Sequence, residues 1–245
     1  MTPDLRCNRW RTGGNLSNVP EPIYLEPSPE VQHRRIRTFH ARHGRVSQTR
    51  NAAIDAVLPN RDIALSEYPV VLNLVLGGTR AVIDFGCGMG GLTRELLQHP
   101  DTAVLAIDVH TPGIADLAQL AVDNPEVKLA LHMGDGIFVL EDFIAPESID
   151  SIYVYFPDPW PKARHQKRRV IQPYFLDIVH QILKPGGTLK IATDIDSYAA
   201  HVRTVAATRS DFTFAHNDFE AVMTSYHTRA IRLGHTINTF TLTKI

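Results

Sequence analysis

Cysteine is scarce in this sequence of 245 residues, where only Cys7 and Cys87 occur and lie far apart. Two isolated cysteines form neither a disulfide framework nor the paired ligands of a zinc site. Long apolar runs are missing too, because the longest have the length of a β-strand, and the arginines near the N-terminus are followed by no apolar segment. We therefore expect a cytoplasmic protein with no metal, no membrane span and no secretory signal.

Net charge is nearly absent as well, since 25 basic residues oppose 26 acidic ones and the sum is -1. Proteins that coat nucleic acid indiscriminately carry a large positive charge, so any contact with RNA has to come from local patches. The first patch, from His33 to Arg50, holds six arginines, three histidines and no acid. The second patch is Arg164-His165-Gln166-Lys167-Arg168-Arg169.

An apolar fraction of 44% over this length is sufficient for the core of one α/β domain. The first 30 residues contain Gly13-Gly14 together with Pro20, Pro22, Pro27 and Pro29, which predicts an irregular or disordered leader. We place the domain boundary after Arg50. Residues 1–50 then form a flexible basic arm that we expect to order on RNA, and residues 51–245 form the folded domain.

From Arg80 onward, apolar runs of strand length alternate with longer amphipathic stretches. This alternation is typical of a parallel sheet wound with crossover helices. The predicted strands are Ala81 to Phe85, Val104 to Asp108, Val127 to Met133, Ile149 to Phe156 and Thr188 to Thr193, with a closing strand from Thr236 to Thr243. The predicted helices are Gly91 to Gln98, Gly113 to Asp123, Ile137 to Phe143, Arg168 to Leu183 and Ser197 to Thr208.

A glycine-rich segment, Asp84-Phe85-Gly86-Cys87-Gly88-Met89-Gly90-Gly91, falls where the first strand turns into the first helix. Gly86, Gly88 and Gly91 fit the dinucleotide-binding fingerprint. Gly86, Gly88 and Gly90 after an acidic residue fit the loop of S-adenosylmethionine-dependent methyltransferases equally well. Asp108 ends the second strand about 20 residues later, where a carboxylate can accept both ribose hydroxyls of either cofactor.

Two further features favour methyl transfer. Leu183-Lys184-Pro185-Gly186-Gly187 predicts a turn before the fifth strand that recurs in methyltransferases and has no required place in a dehydrogenase. Phe156-Pro157-Asp158-Pro159-Trp160-Pro161 follows the fourth strand, and its prolines fix a carboxylate and an indole at the edge where ligands bind in open α/β sheets. Trp160 is interpreted either as a packed side chain or as a platform for a base.

Asp135 follows the third strand, and two interpretations of it stay open. Methyltransferases commonly place an acidic group here, near the adenine amino group. A carboxylate at this position can equally cap the helix that begins near Ile137.

The run from Phe156 to Arg169 resembles the signature of the bacterial tRNA (guanine-N7)-methyltransferases, which form 7-methylguanosine in the variable loop of tRNA. Residues 37–45, 192–199 and 224–235 also resemble motifs of this family and occur in the same order along the chain. The resemblance therefore covers about residues 34 to 242. It implies the class I methyltransferase fold, a Rossmann-like, seven-stranded, mostly parallel sheet with helices on both faces. It also implies S-adenosylmethionine as cofactor, tRNA as partner and the guanosine at position 46 as target.

The resemblance further implies residue roles. Asp158 takes the catalytic position and is expected to orient the guanine and offset its developing charge without abstracting a proton. The remaining roles are cofactor contact for Asp84, Gly86, Gly88, Gly90, Asp108, Asp135 and Asp158, substrate contact for Lys162, Asp194, Thr224, Ser225, Tyr226 and His227, and RNA contact for Arg164, His165, Gln166, Lys167, Arg168 and Arg169.

The sequence departs from the family pattern at several of these positions. Asp84 and Asp108 replace the usual glutamates, and His227 stands where a carboxylate is usual. An imidazole cannot accept two hydrogen bonds from guanine as a carboxylate does. His227 favours one alternative, an RNA-binding homologue with a degenerate cofactor pocket. A class I methyltransferase acting on another substrate is a second alternative, and an NAD-dependent dehydrogenase is a third, which the turn from Lys184 to Gly187 disfavours. The protein is expected to be a monomer or a homodimer.

Overall fold

The computed structural model describes residues 36–39, 44–66 and 68–245. The predicted leader, and Arg34, Arg35 and Arg42 of the first basic patch, lie outside these described residues. None of the helices in the described ranges is long and apolar enough to cross a membrane.

Seven strands form one sheet in the order β3-β2-β1-β4-β5-β7-β6. β7 runs antiparallel to both of its neighbours, whereas the other pairings are parallel. This topology confirms the predicted seven-stranded, mostly parallel sheet. The strands are β1 (Arg80–Phe85), β2 (Thr102–Asp108), β3 (Leu129–Met133), β4 (Ile149–Tyr155), β5 (Leu183–Thr193), β6 (Phe212–His216) and β7 (Asn238–Lys244).

Helices cover both faces of the sheet because its central strands are apolar on both sides, as expected where crossover helices connect parallel strands. All residues of β2 except the last are buried. α1, α3 and α4 pack on one face, and α2, α5, α6 and α7 pack on the other. The helices are α1 (Gln48–Arg61), α2 (Leu72–Leu76), α3 (Gly91–Leu96), α4 (Thr111–Asp123), α5 (Gly136–Asp142), α6 (Pro173–Ile182), α7 (Asp196–Ala206) and α8 (Ser225–Arg232).

The helix predicted over 168–183 begins only at Pro173. Proline is favoured in a first helical turn because its missing N–H has no helical partner there. The preceding basic residues, Ala163–Arg168, form a short 3-10 helix instead. The second basic patch therefore lies on a separate turn beside the sheet edge and not on the long helix.

The turn predicted at Lys184 to Gly187 is an excursion within β5. Leu183 pairs with Ile149, and pairing resumes only between Thr188 and Ser151. Gly186 adopts a left-handed conformation between these pairs, with φ +75°. The predicted turn is therefore present, and Gly186 allows the chain to bend there. The strand, however, begins at Leu183, before the turn and not after it as predicted.

Helix α1 was not predicted, and it spans the boundary placed after residue 50. Ser47 caps it by accepting a hydrogen bond from the N–H of Arg50. At its other end, Arg61 donates to the carbonyls of Pro125, Val127 and Leu129 at distances of 2.6 to 2.9 Å. These bonds tie α1 to the segment that enters β3.

Candidate functional site

One pocket opens at the carboxyl ends of β1, β2 and β4, where open α/β sheets bind their ligands. Its wall includes Gly86 and Gly88 of the glycine-rich turn, Asp108 at the end of β2 and Asp158 after β4. The structure thus brings together two turns that are about 70 residues apart in the sequence. The remaining wall is largely apolar and aromatic, with Phe85, Ile107, Val109, Val154, Tyr155, Phe156 and Val170 among its members.

Asp108 holds the glycine-rich turn in place. One of its carboxylate oxygens accepts from the N–H of Gly88 at 2.7 Å, and the other accepts from the N–H of His110 at 2.8 Å. Gly86 and Gly88 have φ of +81° and +54°, a region that side chains with a Cβ rarely adopt. The turn therefore presents backbone and one carboxylate to the pocket.

Gly113 in α4 packs against the glycine-rich turn, a role that the sequence analysis missed. A Cβ at this position would lie 1.6 Å from the carbonyl oxygen of Gly88. Only glycine lets α4 approach the turn this closely. The signal available was a lone glycine near a helix start, which by itself indicates nothing specific.

Asp84 and Gly90, both predicted to contact the cofactor, lie beneath the pocket and not in its wall. Asp84 is 2% exposed and accepts a 2.6 Å hydrogen bond from the hydroxyl of Thr93. Burial raises the pKa of Asp84 to about 7, against the opposing effect of that hydrogen bond. Gly90 has φ +74°, and a Cβ there would lie 2.6 Å from Leu117. Both residues shape the turn from behind.

Asp135 caps α5 by accepting from the N–H of Ile137 at 3.0 Å. The capping interpretation is thus the one observed. Its neighbours Gly134 and Gly136 line the pocket, so contact between Asp135 and a cofactor stays a prediction.

The segment that carries Asp158 has unusual backbone geometry. Phe156 and Trp160 adopt positive φ values of +50° and +42°. Such conformations are costly for large side chains and persist only where the surroundings enforce them. The N–H of Phe156 donates to the carbonyl of Ala192 at 2.8 Å, which fixes the start of the segment on β5.

Trp160 is packed and is only 4% exposed. Its indole N–H donates to the carbonyl of Thr38 at 3.0 Å, and the guanidinium of Arg168 lies 4.8 Å from the ring. Stacking of this ring on a base is not compatible with the observed packing. Thr38 and Phe39 themselves line the pocket, a role for the basic arm that the sequence analysis missed.

The segment from Thr224 to His227, which was predicted to contact the substrate, reaches the pocket beside Phe156. Tyr226 lines the pocket and stacks on this ring at 6.4 Å, and His227 lies 6.0 Å from it. The hydroxyl of Thr224 caps α8 by accepting from the N–H of His227 at 3.2 Å. Ser225 is exposed at the start of the helix.

Asp194 and Lys162 lie outside the pocket wall. Asp194 follows β5 and bonds to the Nδ1 atom of His235 at 2.8 Å, a partner that the sequence analysis did not assign. Lys162 is exposed and precedes the 3-10 helix of the basic run. Substrate contact by either residue requires a ligand that extends beyond the pocket.

The six residues of the second basic patch do not share one environment. Arg164, Gln166 and Lys167 are exposed, and His165 and Arg168 are half-buried around Trp160. Arg169 is only 2% exposed, and its guanidinium bonds to protein carbonyls. The structure therefore does not support the prediction that Arg169 contacts RNA, because a buried side chain with its donors engaged is not available to phosphate.

The pocket suits an adenosyl cofactor with a positive charge. The glycine backbone allows close approach, the apolar wall accepts a flat ring, and Asp108 and Asp158 supply negative charge. Among the residues that the structure describes, no group of three or more histidine, cysteine or acidic side chains could hold a metal ion. Because the glycine-rich turn and Asp158 line the same pocket, the pocket can position two reactants at one opening.

Comparison with known proteins agrees with this geometry. Residues 79–240 match the family model described as "Putative methyltransferase". The tRNA (guanine-N(7)-)-methyltransferase of Nitrosomonas europaea is 38% identical over 219 residues, which cover 86% of this chain and 98% of that protein. The protein of the same name from Streptomyces avermitilis is 34% identical over 228 residues, covering 89% of this chain and 79% of that protein.

A solved structure supports the fold. The 16S rRNA methyltransferase KamB superposes with a TM-score of 0.55 at 16% sequence identity, covering 73% of this chain and 95% of that one. At this identity the likeness concerns the architecture and not the substrate.

Proposed function

The chain belongs to the tRNA (guanine-N(7)-)-methyltransferase family, and on that premise we propose that it transfers a methyl group from S-adenosylmethionine to N7 of a guanosine in tRNA. The observation that carries the proposal is the shared pocket. The glycine-rich turn, Asp108 and Asp158 all line it, so a donor on the turn and an acceptor beside Asp158 would meet at one opening.

The chemistry needs no general base. Guanine N7 has an in-plane lone pair and carries no proton, and S-adenosylmethionine supplies an electrophilic methyl group when it is bound. The chain has to hold the base in line, which can contribute up to about 7 to 11 kcal/mol through proximity and orientation. Asp158 is suited to this task because its segment is fixed at both ends.

Asp158 would also act on charge. Methylation at N7 leaves a positive charge on the purine, and a carboxylate preorganised beside it favours that charge more strongly in a pocket than in water. Phe156 and Tyr226 stack on one side of this carboxylate's segment, offering an aromatic wall for the base. His227 lies against the ring of Phe156. It would supply one hydrogen-bonding atom at a position where the family that the sequence resembles usually has a carboxylate.

Binding of tRNA would use the exposed members of the second basic patch. Arg164, Lys167 and the half-buried Arg168 lie on the turn that follows the Asp158 segment. Contacts between such side chains and phosphates make affinity fall steeply with salt. We further propose position 46 as the target and the cytoplasm as the location, with a monomer or homodimer as the working form.

The test is to incubate the protein with unmodified tRNA and S-adenosylmethionine labelled in its methyl group. We expect label in tRNA, and cleavage with borohydride and aniline at a single guanosine of the variable loop. Label in a small-molecule fraction, or binding of S-adenosylhomocysteine and tRNA without turnover, would contradict the proposal and favour another substrate or a non-catalytic RNA-binding protein.

A further inference from the structure

Arg169 ends the second basic patch but points into the protein. The other members of the patch are exposed or half-buried, whereas Arg169 is 2% exposed and is the first in size among the fully buried side chains of the described residues. Arginine is rarely buried to this extent unless its charge and its donors are satisfied. Its placement therefore calls for a role other than that of its neighbours.

The guanidinium of Arg169 joins two segments that follow β4 and β5 at the carboxyl ends of these strands. Its Nε donates to the carbonyl of Pro159 at 3.0 Å, and its Nη1 donates to the carbonyl of Ser197 at 2.9 Å. Nη2 lies 3.3 Å from the hydroxyl oxygen of Ser197. Pro159 directly follows Asp158, and Ser197 lies in the first turn of α7. The side chain thus holds the Asp158 segment against the helix that follows β5.

The ring of Tyr198 packs against the guanidinium of Arg169. This ring is fully buried and lies 5.2 Å from the guanidinium carbon of Arg169, a distance suited to a cation–π contact. Burial raises the pKa of the Tyr198 phenol above its usual range, and among the smaller effects the charge of Arg169 lowers this pKa whereas that of Asp158 raises it. Both charges are therefore felt at the same buried ring, and the next residue, Val170, lines the pocket.

We propose that Arg169 is a positioning residue that fixes the Asp158 segment from inside the protein and does not bind tRNA. The inference rests on the proposed function, because it assigns Arg169 to the placement of the residue proposed to act on guanine. Arginine is required here by geometry, since a planar fork of donors serves carbonyls on two elements at once. A lysine keeps the charge but bonds through one compact ammonium group.

The central experiment compares Arg169→Lys with Lys167→Gln and with a matched control. Arg169→Lys should lower kcat by about tenfold to a hundredfold, because misplacing a reacting group by about 1 Å has effects of this size. Its KM for tRNA and its salt dependence should stay close to those of the unaltered protein. Lys167→Gln should instead raise the KM for tRNA and reduce the slope of log affinity against log salt by about one unit.

Arg203→Lys is the matched control, because it makes the same exchange at an exposed position of α7, and it should change neither parameter. If Arg169→Lys does not fold, Ser197→Ala removes only the hydroxyl partner and should lower kcat by a smaller factor with unchanged KM for tRNA. The positioning role is overturned if Arg169→Lys, or Ser197→Ala in its place, retains full kcat. It is likewise overturned if Arg169→Lys raises KM and lowers the salt slope as Lys167→Gln does.

A measurement without turnover separates this inference from the proposed function. In the unaltered protein, the Nε–H of Arg169 should exchange slowly with solvent in NMR spectra and should keep its chemical shift when tRNA is added. Rapid exchange, or a shift on adding tRNA, would contradict the internal role even if methylation is observed. A slow, unshifted signal in a protein that fails to methylate tRNA would support the internal placement while refuting the proposed function.

Discussion

The two sides of the pocket are built by different means. On the side of β1 and β2, the wall combines the backbone of the glycine-rich turn with Phe85 and Ile107, and Asp108 is bonded to the N–H of Gly88. On the side of β4 and β5, it consists of large side chains, with Phe156 and Trp160 held at positive φ and Arg169 buried behind them. The first side makes room for a ligand, and the second side holds functional groups in a fixed position. The two sides should therefore fail in different ways when they are altered.

The largest effect is expected on the β4 side. Asp158→Ala should lower kcat by about 10²- to 10³-fold, as removal of a preorganised electrostatic group does in other enzymes. Asp158→Asn should be intermediate, because the amide keeps one acceptor and loses the charge. Methyl incorporation into tRNA measures both variants, with the exposed Asp55→Asn as control. Near-normal turnover of Asp158→Ala would show that the β4 side does not hold a group needed for catalysis, and the proposed difference between the two sides of the pocket would then be wrong.

The second effect concerns Asp84 behind the β1 side. The pKa of this buried carboxyl is about 7 in the folded protein and near 4 when unfolded, so the folded state binds the proton more tightly. Stability without cofactor should fall as pH rises, by roughly 2 to 3 kcal/mol between pH 5 and pH 7. Chemical denaturation of the protein and of Asp84→Asn at several pH values measures the difference, which should be missing in the variant.

An exposed aspartate provides the control for this titration. Asp101→Asn should keep the full pH dependence, because the side chain is at the surface. Equal slopes for the unaltered protein and Asp84→Asn would show that Asp84 is ionised in the folded protein, and its burial would then need another counter-charge.

A third effect tests the space on the β1 side. Gly113→Ala would place a Cβ 1.6 Å from the carbonyl oxygen of Gly88, so the turn has to move. We expect the affinity for S-adenosylhomocysteine to fall by about tenfold, the size typical of overpacking by one methyl group. Gly91→Ala, whose added atom would meet Thr224 only at ordinary contact distance, should bind normally. Calorimetric titration compares the two, and equal affinities would contradict the tight contact.

The smallest effect concerns the basic arm. Removing residues 1–43 deletes Thr38 and Phe39 from the pocket and takes away the acceptor of the Trp160 indole. Affinity for S-adenosylhomocysteine should therefore fall several-fold, in addition to weaker tRNA binding. Removing residues 1–35 should weaken tRNA binding alone. Identical cofactor affinities for the two truncations would assign the arm to RNA only.

Much of the fold could be predicted, because the central strands carry an unambiguous pattern. β1, β2, β4 and β5 are apolar runs bounded by turn residues, and the predicted strands overlap all of them. β6 was missed because it is a short edge strand in which only Phe212 is buried, so its five residues form no apolar run like those of the central strands. α8 was missed for a similar reason, since Ala230 is its only buried residue.

The candidate site was predicted where function follows from chain position. Asp108 and Asp158 follow strands, and the carboxyl ends of parallel strands meet at one edge, so their shared pocket could be expected. The burial of Arg169 could not, because a basic run has no apolar period that marks one member as internal. The burial of Asp84 could not be predicted either, because its position in a motif indicates nearness to a ligand but not whether its side chain faces the pocket or the core.

The position of β7 has a consequence for how the protein is made. β7 comes after β6 in the chain yet lies between β5 and β6, and its Lys244 bonds to the carbonyl of Leu183 at 2.9 Å. β6 therefore has no strand to pair with until β7 has left the ribosome. β1 to β5 can pair with one another before β7 is made, whereas β6 joins the sheet only through β7.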